Sequence, residues 1–402
     1  MKYFESAIST PIVSSAAFAY ENSQEGEDIF AGKSQKPLYS RMGNPTSSVL
    51  EEKLSQMEGG IGAVITSSGM GAITMSIMSL CSSGDEIISV GGLFGGSYAL
   101  MTQTLPRFGI ATHFLSCDEI ASIESNITDK TKIIFCESIG NPNLRLPDLQ
   151  MIGEIASKYG IAFIVDNTIS PIVVKPFEYG ADIVIYSTTK IISGNSSALG
   201  GVAIFKKVEE NDKFHNSRYQ FLKPFINKLQ GKALIGCAKK RAMRDFGMSA
   251  NANSSYQTLL GLETLPLRLQ QINNSCEIVA AFLEKNGIKV NHPSLDNHSD
   301  NQLYKERYSA GVGSMITIDM GTKEKAFTFL DSSKLCILTA NIGDSRTLAL
   351  HMGSTIYSDF TQEQKEFLGI TSGLIRVSIG LEDPKFICDD LLESYRLSDL
   401  KI

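Results

Sequence analysis

The sequence predicts an α/β protein: a mainly parallel sheet covered by helices on both faces, followed by a smaller α+β domain. Two observations predict it. Seven short apolar runs, AVIT (63–66), EIISV (86–90), ATHFL (111–115), KIIFC (132–136), IAFIV (161–165), DIVIY (182–186) and GVAIF (201–205), have helix-like stretches between most of them. Apolar strands alternating with helices belong to a parallel sheet buried on both faces. Around residue 250 the rhythm shifts. There SSYQTLLGLETLPLRLQQINNSCEIVAAFLEKNG reads as long helix, Pro266 interruption included, followed by MITIDM, CILTA and LIRVSIG as strands and DDLLESYRL as a closing helix.

Taken in chain order, residues 1–45 show little periodicity and intersperse Gly, Pro and charge, so they read as an extended arm with room for one short helix. From Pro45, PTSSVLEEKLSQMEG sets Leu50, Leu54 and Met57 on one face, with serines before the first turn, which predicts a helix. The sheet domain then runs over 46–248 and the smaller domain over 249–402, without repeats or low-complexity segments.

Composition narrows the function. A net charge of −6 with no Lys/Arg run argues against a nucleic-acid partner. Seven scattered cysteines without a Cys-x-x-Cys read as reduced cytoplasmic thiols, mostly core fillers, and five histidines make a His-rich metal centre unexpected. No apolar run is long enough to cross a bilayer, and MKYFESAISTPIVSS lacks the layout of a signal peptide. Met75, Met78 and the stripe Leu259, Leu260 and Leu262 read as core or solvated face.

In such sheets, sites form beyond the carboxyl ends of the strands. After AVIT comes Ser67-Ser68-Gly69-Met70-Gly71 and then a helix-like segment; free N–H groups at a helix start can bind phosphate, although Ser-Gly alone is no more than a cap. After EIISV, Phe94 stands between glycine pairs, poorly placed for a core and suited to a stacking platform. Asn141 lies in the segment after KIIFC, and Asp166 follows IAFIV, where a carboxylate needs a partner. After DIVIY comes STTKIISGNSSALGG, with Ser187, Thr189 and Lys190: a lysine ringed by hydroxyls at a strand end, where most lysines would be solvated surface charges. An amine, a carboxylate, a hydroxyl cluster, a helix start and a ring platform are what pyridoxal 5'-phosphate needs. No P-loop motif occurs, nor a Gly-x-Gly-x-x-Gly after a first strand.

Eight stretches, YSRMGNPT, SSGMGA, FGGSYALM, ESIGNPNL, VDNTISP, ADIVIYSTTK, GLETLPLRL and IRVSIGLED, stand in the order of the Cys/Met-metabolism family of PLP enzymes, which the chain resembles from about residue 11 to 383. The resemblance implies PLP fold type I, the aspartate-aminotransferase-like fold, with a mainly parallel seven-stranded sheet. It implies that Lys190 forms the Schiff base and shuttles protons, and that Asp166 pairs the pyridinium nitrogen. Gly69, Met70, Ser187 and Thr189 would hold the phosphate, Asn141 the ring hydroxyl and Arg376 the substrate carboxylate, while Phe94 would stack on the ring. Tyr39 and Arg41 would reach the phosphate of a neighbouring subunit's cofactor, in a homotetramer built as a dimer of dimers with shared sites. Arg41 and Arg376 taken alone would read as surface ion pairs.

The family divides among γ-replacement, γ-elimination and β-elimination. ANIGDSRTLALHMGST resembles the Asn-x-Gly-Asp-x-Lys/Arg-Ser/Thr-Leu pattern of the O-acetylhomoserine sulfhydrylase branch, whereas lyases and cystathionine γ-synthases usually carry Ser at the position of Asn341. Three departures stand out: HMGSTIY where that branch reads His-Pro-Ala-Ser-Thr-Thr-His, Phe94 where the family usually has Tyr, and a shorter arm. Phe94 can stack but cannot donate a proton. Acetate leaves as the base of an acid of pKa about 4, against about 8.5 for a thiol, so a site without the hydroxyl favours an ester over a thioether substrate. The expectation is γ-replacement on O-acetyl- or O-succinyl-homoserine by sulfide or a small thiol. Alternatives are a methionine or cystathionine γ-lyase, a cystathionine γ-synthase, a replacement with a carbon or nitrogen nucleophile, and a catalytically silent PLP-binding scaffold.

Overall fold

The structure is a computed structural model and describes residues 6–34 and 36–400. The arm carries one short helix, α1 (Ser23–Ala31). Helix α2 (Pro45–Glu58) starts where Asn44 accepts from the Thr46 amide and Pro45 takes a position needing no N–H; it stops at Gly59, whose φ of 85° a side chain would oppose. Its buried Leu50 and Leu54 face the sheet, whereas Met57 is only partly covered. Helix α3 (Gly69–Leu80) is apolar around most of its surface because it lies within the core, with Ile73, Met75 and Ile77 buried.

All seven apolar runs are strands: β1 (Gly62–Thr66), β2 (Glu86–Val90), β3 (Ala111–Leu115), β4 (Thr131–Glu137), β5 (Ala162–Asp166), β6 (Ile183–Tyr186) and β7 (Gly201–Phe205). They form one sheet in the order β1-β7-β6-β5-β4-β2-β3. Pairing is parallel from β6 to β3, while β7 runs antiparallel to both its neighbours. The β6–β7 return, residues 187–200, is therefore a direct loop instead of a helical crossover. It is this loop that carries Lys190.

The smaller sheet has the order β10-β11-β12-β9-β8, from β8 (Val290–Asn291), β9 (Met315–Asp319), β10 (Ile337–Leu338), β11 (Leu348–His351) and β12 (Leu374–Ser378). The closing helix spans Pro384–Leu400. Three details differ from the sequence reading. The long helix is two, Ala252–Glu263 and Leu265–Lys285, broken at Thr264, with Pro266 near the start of the second, where its missing N–H costs nothing. CILTA is extended only at Ile337–Leu338, both exposed. Strands β8 and β11 and the helix Lys323–Ser332 are absent from the sequence reading; β8 is only two residues long and β11, LALH, only four.

Leu259 is buried while Leu260 is exposed. Cys117 and Cys336 are half-buried and the other five cysteines are buried; all seven are free. Among the described residues no helix is long and apolar enough to cross a membrane, and no group of three His, Cys, Asp or Glu is arranged to hold a metal.

Candidate active site

The carboxyl ends of β1, β2, β4, β5 and β6 open onto one cavity of about 190 Å³. Its wall includes Gly69, Met70, Phe94, Asn141, Asp166, Ser187, Thr189, Lys190 and Arg376. Nine of the twelve residues singled out from the sequence thus meet at one place, and a tenth, Asn341, touches two of them.

At the entrance of α3 the Ser68 hydroxyl accepts from the Gly71 amide at 3.1 Å, fixing the first turn. The amides of Gly69 and Met70 have no acceptor within the helix and carry the positive end of its dipole. A side chain at Gly69 would lie 2.7 Å from the Ser187 Cβ and one at Gly201 only 2.2 Å from the Ser68 carbonyl oxygen, so backbone alone fits between these elements. The Thr189 hydroxyl donates to the Gly200 carbonyl at 3.1 Å and accepts from the Gly200 amide at 3.0 Å. Its proton is committed to the loop, and Ser187 is the freer of the two hydroxyls.

Asp166 ends β5 at the cavity floor. One carboxylate oxygen accepts from the Thr168 amide at 3.0 Å and from the Thr168 hydroxyl at 2.6 Å. Enclosure nevertheless raises its pKa to about 6, against the pull of those two hydrogen bonds. Glu137 stands beside it, in register on β4, and accepts from the Phe94 amide at 2.7 Å. Burial and the neighbouring Asp166 push the Glu137 carboxyl well above the usual range. Neither carboxylate has a cationic side chain as partner among the described residues.

Phe94 lies half-buried against Gly96; a Cβ on Gly96 would come within 2.7 Å of its ring and 3.3 Å of the Met70 sulfur. Lys190 donates from Nζ to the Asn341 Oδ1 at 2.7 Å. Burial, with some repulsion from Arg376, lowers the Lys190 amine to about 8. The carbonyls after it are held by Arg268, which donates to Ile191 at 2.7 Å, Ile192 at 2.9 Å and Gly261 at 2.6 Å. Gly194 has a φ of 71°, and any side chain there would strike that guanidinium.

Arg376, on β12, is 2% exposed. It donates to the Asn141 Oδ1 at 3.1 Å and to the Asn341 carbonyl at 3.4 Å, but to no carboxylate. Burial lowers it to about 10. A buried guanidinium bonded only to neutral oxygens is ready to take up an anion. Behind it Tyr357, fully buried, donates to the Asn141 carbonyl at 3.0 Å.

Tyr39 and Arg41 do not line the cavity of their own chain. Tyr39 is 44% exposed, and Arg41 lies 5.9 Å from its ring while donating to the Arg244 carbonyl at 2.5 Å. Glu137, Thr168, Arg268 and Tyr357 were not singled out from the sequence. The first three lie inside stretches quoted for the resemblance, so position in the motifs was an available signal; Tyr357 closes HMGSTIY, the stretch that departs from the branch pattern, and that departure was the signal for it.

These residues fit pyridoxal 5'-phosphate. There is a helix start free to bind an anion and too close for a Cβ, an amine of lowered basicity, a carboxylate lacking a cation and a ring on the cavity wall. The comparisons with known proteins agree. The model of the family described as "Cys/Met metabolism PLP-dependent enzyme" matches residues 2–396. An O-acetyl-L-homoserine sulfhydrylase of Leptospira meyeri is 31% identical, over 96% of this chain and 92% of that protein. An L-methionine gamma-lyase of Fusobacterium nucleatum subsp. polymorphum is 32% identical, over 97% and 94%. A crystal structure of a Campylobacter jejuni protein described as an O-acetylhomoserine (thiol)-lyase, carrying N'-pyridoxyl-lysine-5'-monophosphate, superposes with a TM-score of 0.91 at 32% identity, over 98% of this chain and 96% of that one. Motif order, cavity chemistry and full-length similarity lead to one assignment: this chain belongs to the Cys/Met-metabolism family of PLP-dependent enzymes.

Proposed function

We propose that the enzyme carries out γ-replacement on an O-acylhomoserine, O-acetyl or O-succinyl, with sulfide or a small thiol entering and the carboxylate leaving, to give homocysteine or methionine. The observation that carries this reading is Phe94: the aromatic ring on the cavity wall has no hydroxyl to protonate a leaving group, which suits an acyl carboxylate. The similarity to a sulfhydrylase supports it, as does Asn341 beside Lys190.

When bound, the cofactor supplies an electron sink conjugated to the substrate Cα. The chain's residues do the rest. Gly69 and Met70 amides with the Ser187 hydroxyl hold the phosphate, aided by Thr189 once its proton turns from Gly200. Asp166 would hold the ring nitrogen's proton, and Asn141 would hold the ring hydroxyl. Arg376 takes the substrate carboxylate and so fixes Cα relative to Lys190. The Lys190 amine, depressed to about 8, is partly neutral near pH 7.5 and takes the Cα proton. A Cβ proton leaves next, and its bonding pair forms the Cβ–Cγ double bond that expels the γ-substituent. The carboxylate departs with the C–O bonding pair, and sulfide adds at Cγ. Protons return to Cβ and Cα after the nucleophile has added.

Tyr39 and Arg41, exposed and outside their own cavity, act in this reading on the phosphate in a second copy, within a tetramer of paired dimers. Free thiols support a cytoplasmic setting. The test is product analysis from O-acetylhomoserine with and without sulfide, with Lys190→Ala as control. Homocysteine and acetate appear only with sulfide if the reading holds. Release of 2-oxobutyrate and ammonia without sulfide would make the enzyme a γ-lyase, the reading to which the similarity to a methionine γ-lyase points.

A further inference from the structure

At the cavity mouth a chain of three hydrogen bonds leads away from Lys190. The Lys190 Nζ donates to the Asn341 Oδ1 at 2.7 Å. The Asn341 Nδ2 donates to the Ser196 Oγ at 2.9 Å, and the Ser196 hydroxyl donates to the Asp344 Oδ2. Asp344, 1% exposed, closes the chain. Its Oδ1 accepts from the Arg346 amide at 3.0 Å and the Arg346 Nε at 2.7 Å, and its Oδ2 also from Nη2 at 3.0 Å.

The direction of every link follows from one end. A carboxylate accepts only, so Ser196 must donate to it. The serine oxygen is then left as an acceptor, so Asn341 must turn its NH2 to Ser196 and its carbonyl oxygen to Lys190. An amide can otherwise sit either way round. With the carbonyl facing it, the amine spends a hydrogen on Asn341 and keeps its lone pair for the cavity. With the NH2 facing it, the neutral amine would spend that lone pair on accepting from Asn341, and a protonated one would meet a second donor.

We infer that Ser196 and Asp344 are positioning residues that hold the Lys190 amine in its reactive orientation by setting which face Asn341 presents. The inference rests on the role proposed above for Lys190. Asp344→Asn is the informative variant. Two Arg346 N–H groups hold the oxygen of the new amide at the Oδ1 place, so its NH2 falls opposite Ser196. The hydroxyl is then driven to donate to Asn341, whose amide inverts. Removing the hydroxyl as well frees the amide to turn back.

The experiment measures kcat, KM for O-acetylhomoserine and the rate at which cofactor-free protein captures pyridoxal phosphate, read by absorbance. Ser196→Ala is expected to lose about threefold in kcat, and Asp344→Asn about tenfold with KM little changed, the scale of one inverted hydrogen bond. The double variant is expected to return to the level of Ser196→Ala in both kcat and capture rate. Two sites acting only on stability would instead add their losses, so a double variant no better than Asp344→Asn overturns the inference. If Asp344→Asn is not obtained folded, Asn341→Leu is compared with Asn341→Leu/Ser196→Ala. Equal kcat is expected, because Ser196 acts only through Asn341; a further loss overturns the inference. Lys190→Ala run alongside separates the two readings: turnover surviving in it removes the role given to Lys190, and the double variant reports on the chain alone.

Discussion

The two ends of the large sheet treat charge in opposite ways. At the amino end of β6, Asp182 is fully buried and its Oδ2 is met by Lys213 at 2.5 Å and the Phe163 amide at 2.7 Å. Lys213 is tied in turn to the Ile161 carbonyl at 2.9 Å. Burial raises the Asp182 carboxyl and Lys213 pulls it back. At the carboxyl end of β5, Asp166 has Thr168 alone, Glu137 stands in register beside it, and Lys190 and Arg376 rest on amide oxygens. Anions and cations share one cavity without pairing. The first arrangement is what folding selects, since an unpaired buried charge costs several kcal/mol. The second keeps the charges available, and the cofactor and substrate complete it.

Five variants break or sharpen this contrast. The largest effect is expected for Lys190→Ala, a loss of at least about 10³-fold in kcat, measured by acetate release with sulfide present. Arg376→Ala is next: about 10²-fold in kcat/KM, mostly in KM, from removing the cation that meets the substrate carboxylate, read from saturation curves.

The third prediction pairs the two aspartates. Asp182→Asn strands Lys213 and is expected to lower stability by about 3 kcal/mol. Asp166→Asn lowers turnover, though less than Lys190→Ala does, yet stabilises the cofactor-free protein by about 1–2 kcal/mol at pH 7. The sign follows from the raised pKa: between about 4 and 6 the unfolded chain releases its proton while the folded one keeps it. Stability of the wild type therefore falls as pH rises through that window, and the advantage of Asn appears above pH 6 and vanishes near pH 4. Urea denaturation of both variants at pH 4 and 7 checks this. The smallest effect is expected for Thr168→Val. Loss of one hydrogen bond to Asp166 weakens cofactor affinity by about fivefold, seen by absorbance titration.

The fold was legible because most large-sheet strands are continuous apolar runs, which a strand covered on both faces needs; β3, the edge strand ATHFL with only Leu115 buried, is the exception. Lys190 and Asp166 were legible for the converse reason: a charge directly after such a run has few bland uses. Arg268 was not, because its meaning lies in contacts with carbonyls 76 and 77 residues away, and its own helix offers an ordinary reason for an arginine. Ser196 and Asp344 are 148 residues apart, and their significance is the direction of a hydrogen bond, which spacing does not encode. Tyr39 and Arg41 were read from their motif, and in this chain they sit outside the cavity.

The antiparallel return of β7 carries a consequence for the order in which the enzyme assembles. Loop 187–200 closes between adjacent strands, so the lysine is placed by contacts close in sequence, which form fastest. Its hydrogen-bond acceptor lies 151 residues downstream, and Arg376 stands 235 residues from the asparagine it holds. Those contacts close slowly. Gain of the cofactor's absorbance during refolding will therefore report formation of the large sheet, which carries Lys190, Asp166 and the phosphate-binding helix start, while turnover waits on the later arrival of Arg376 with the smaller sheet.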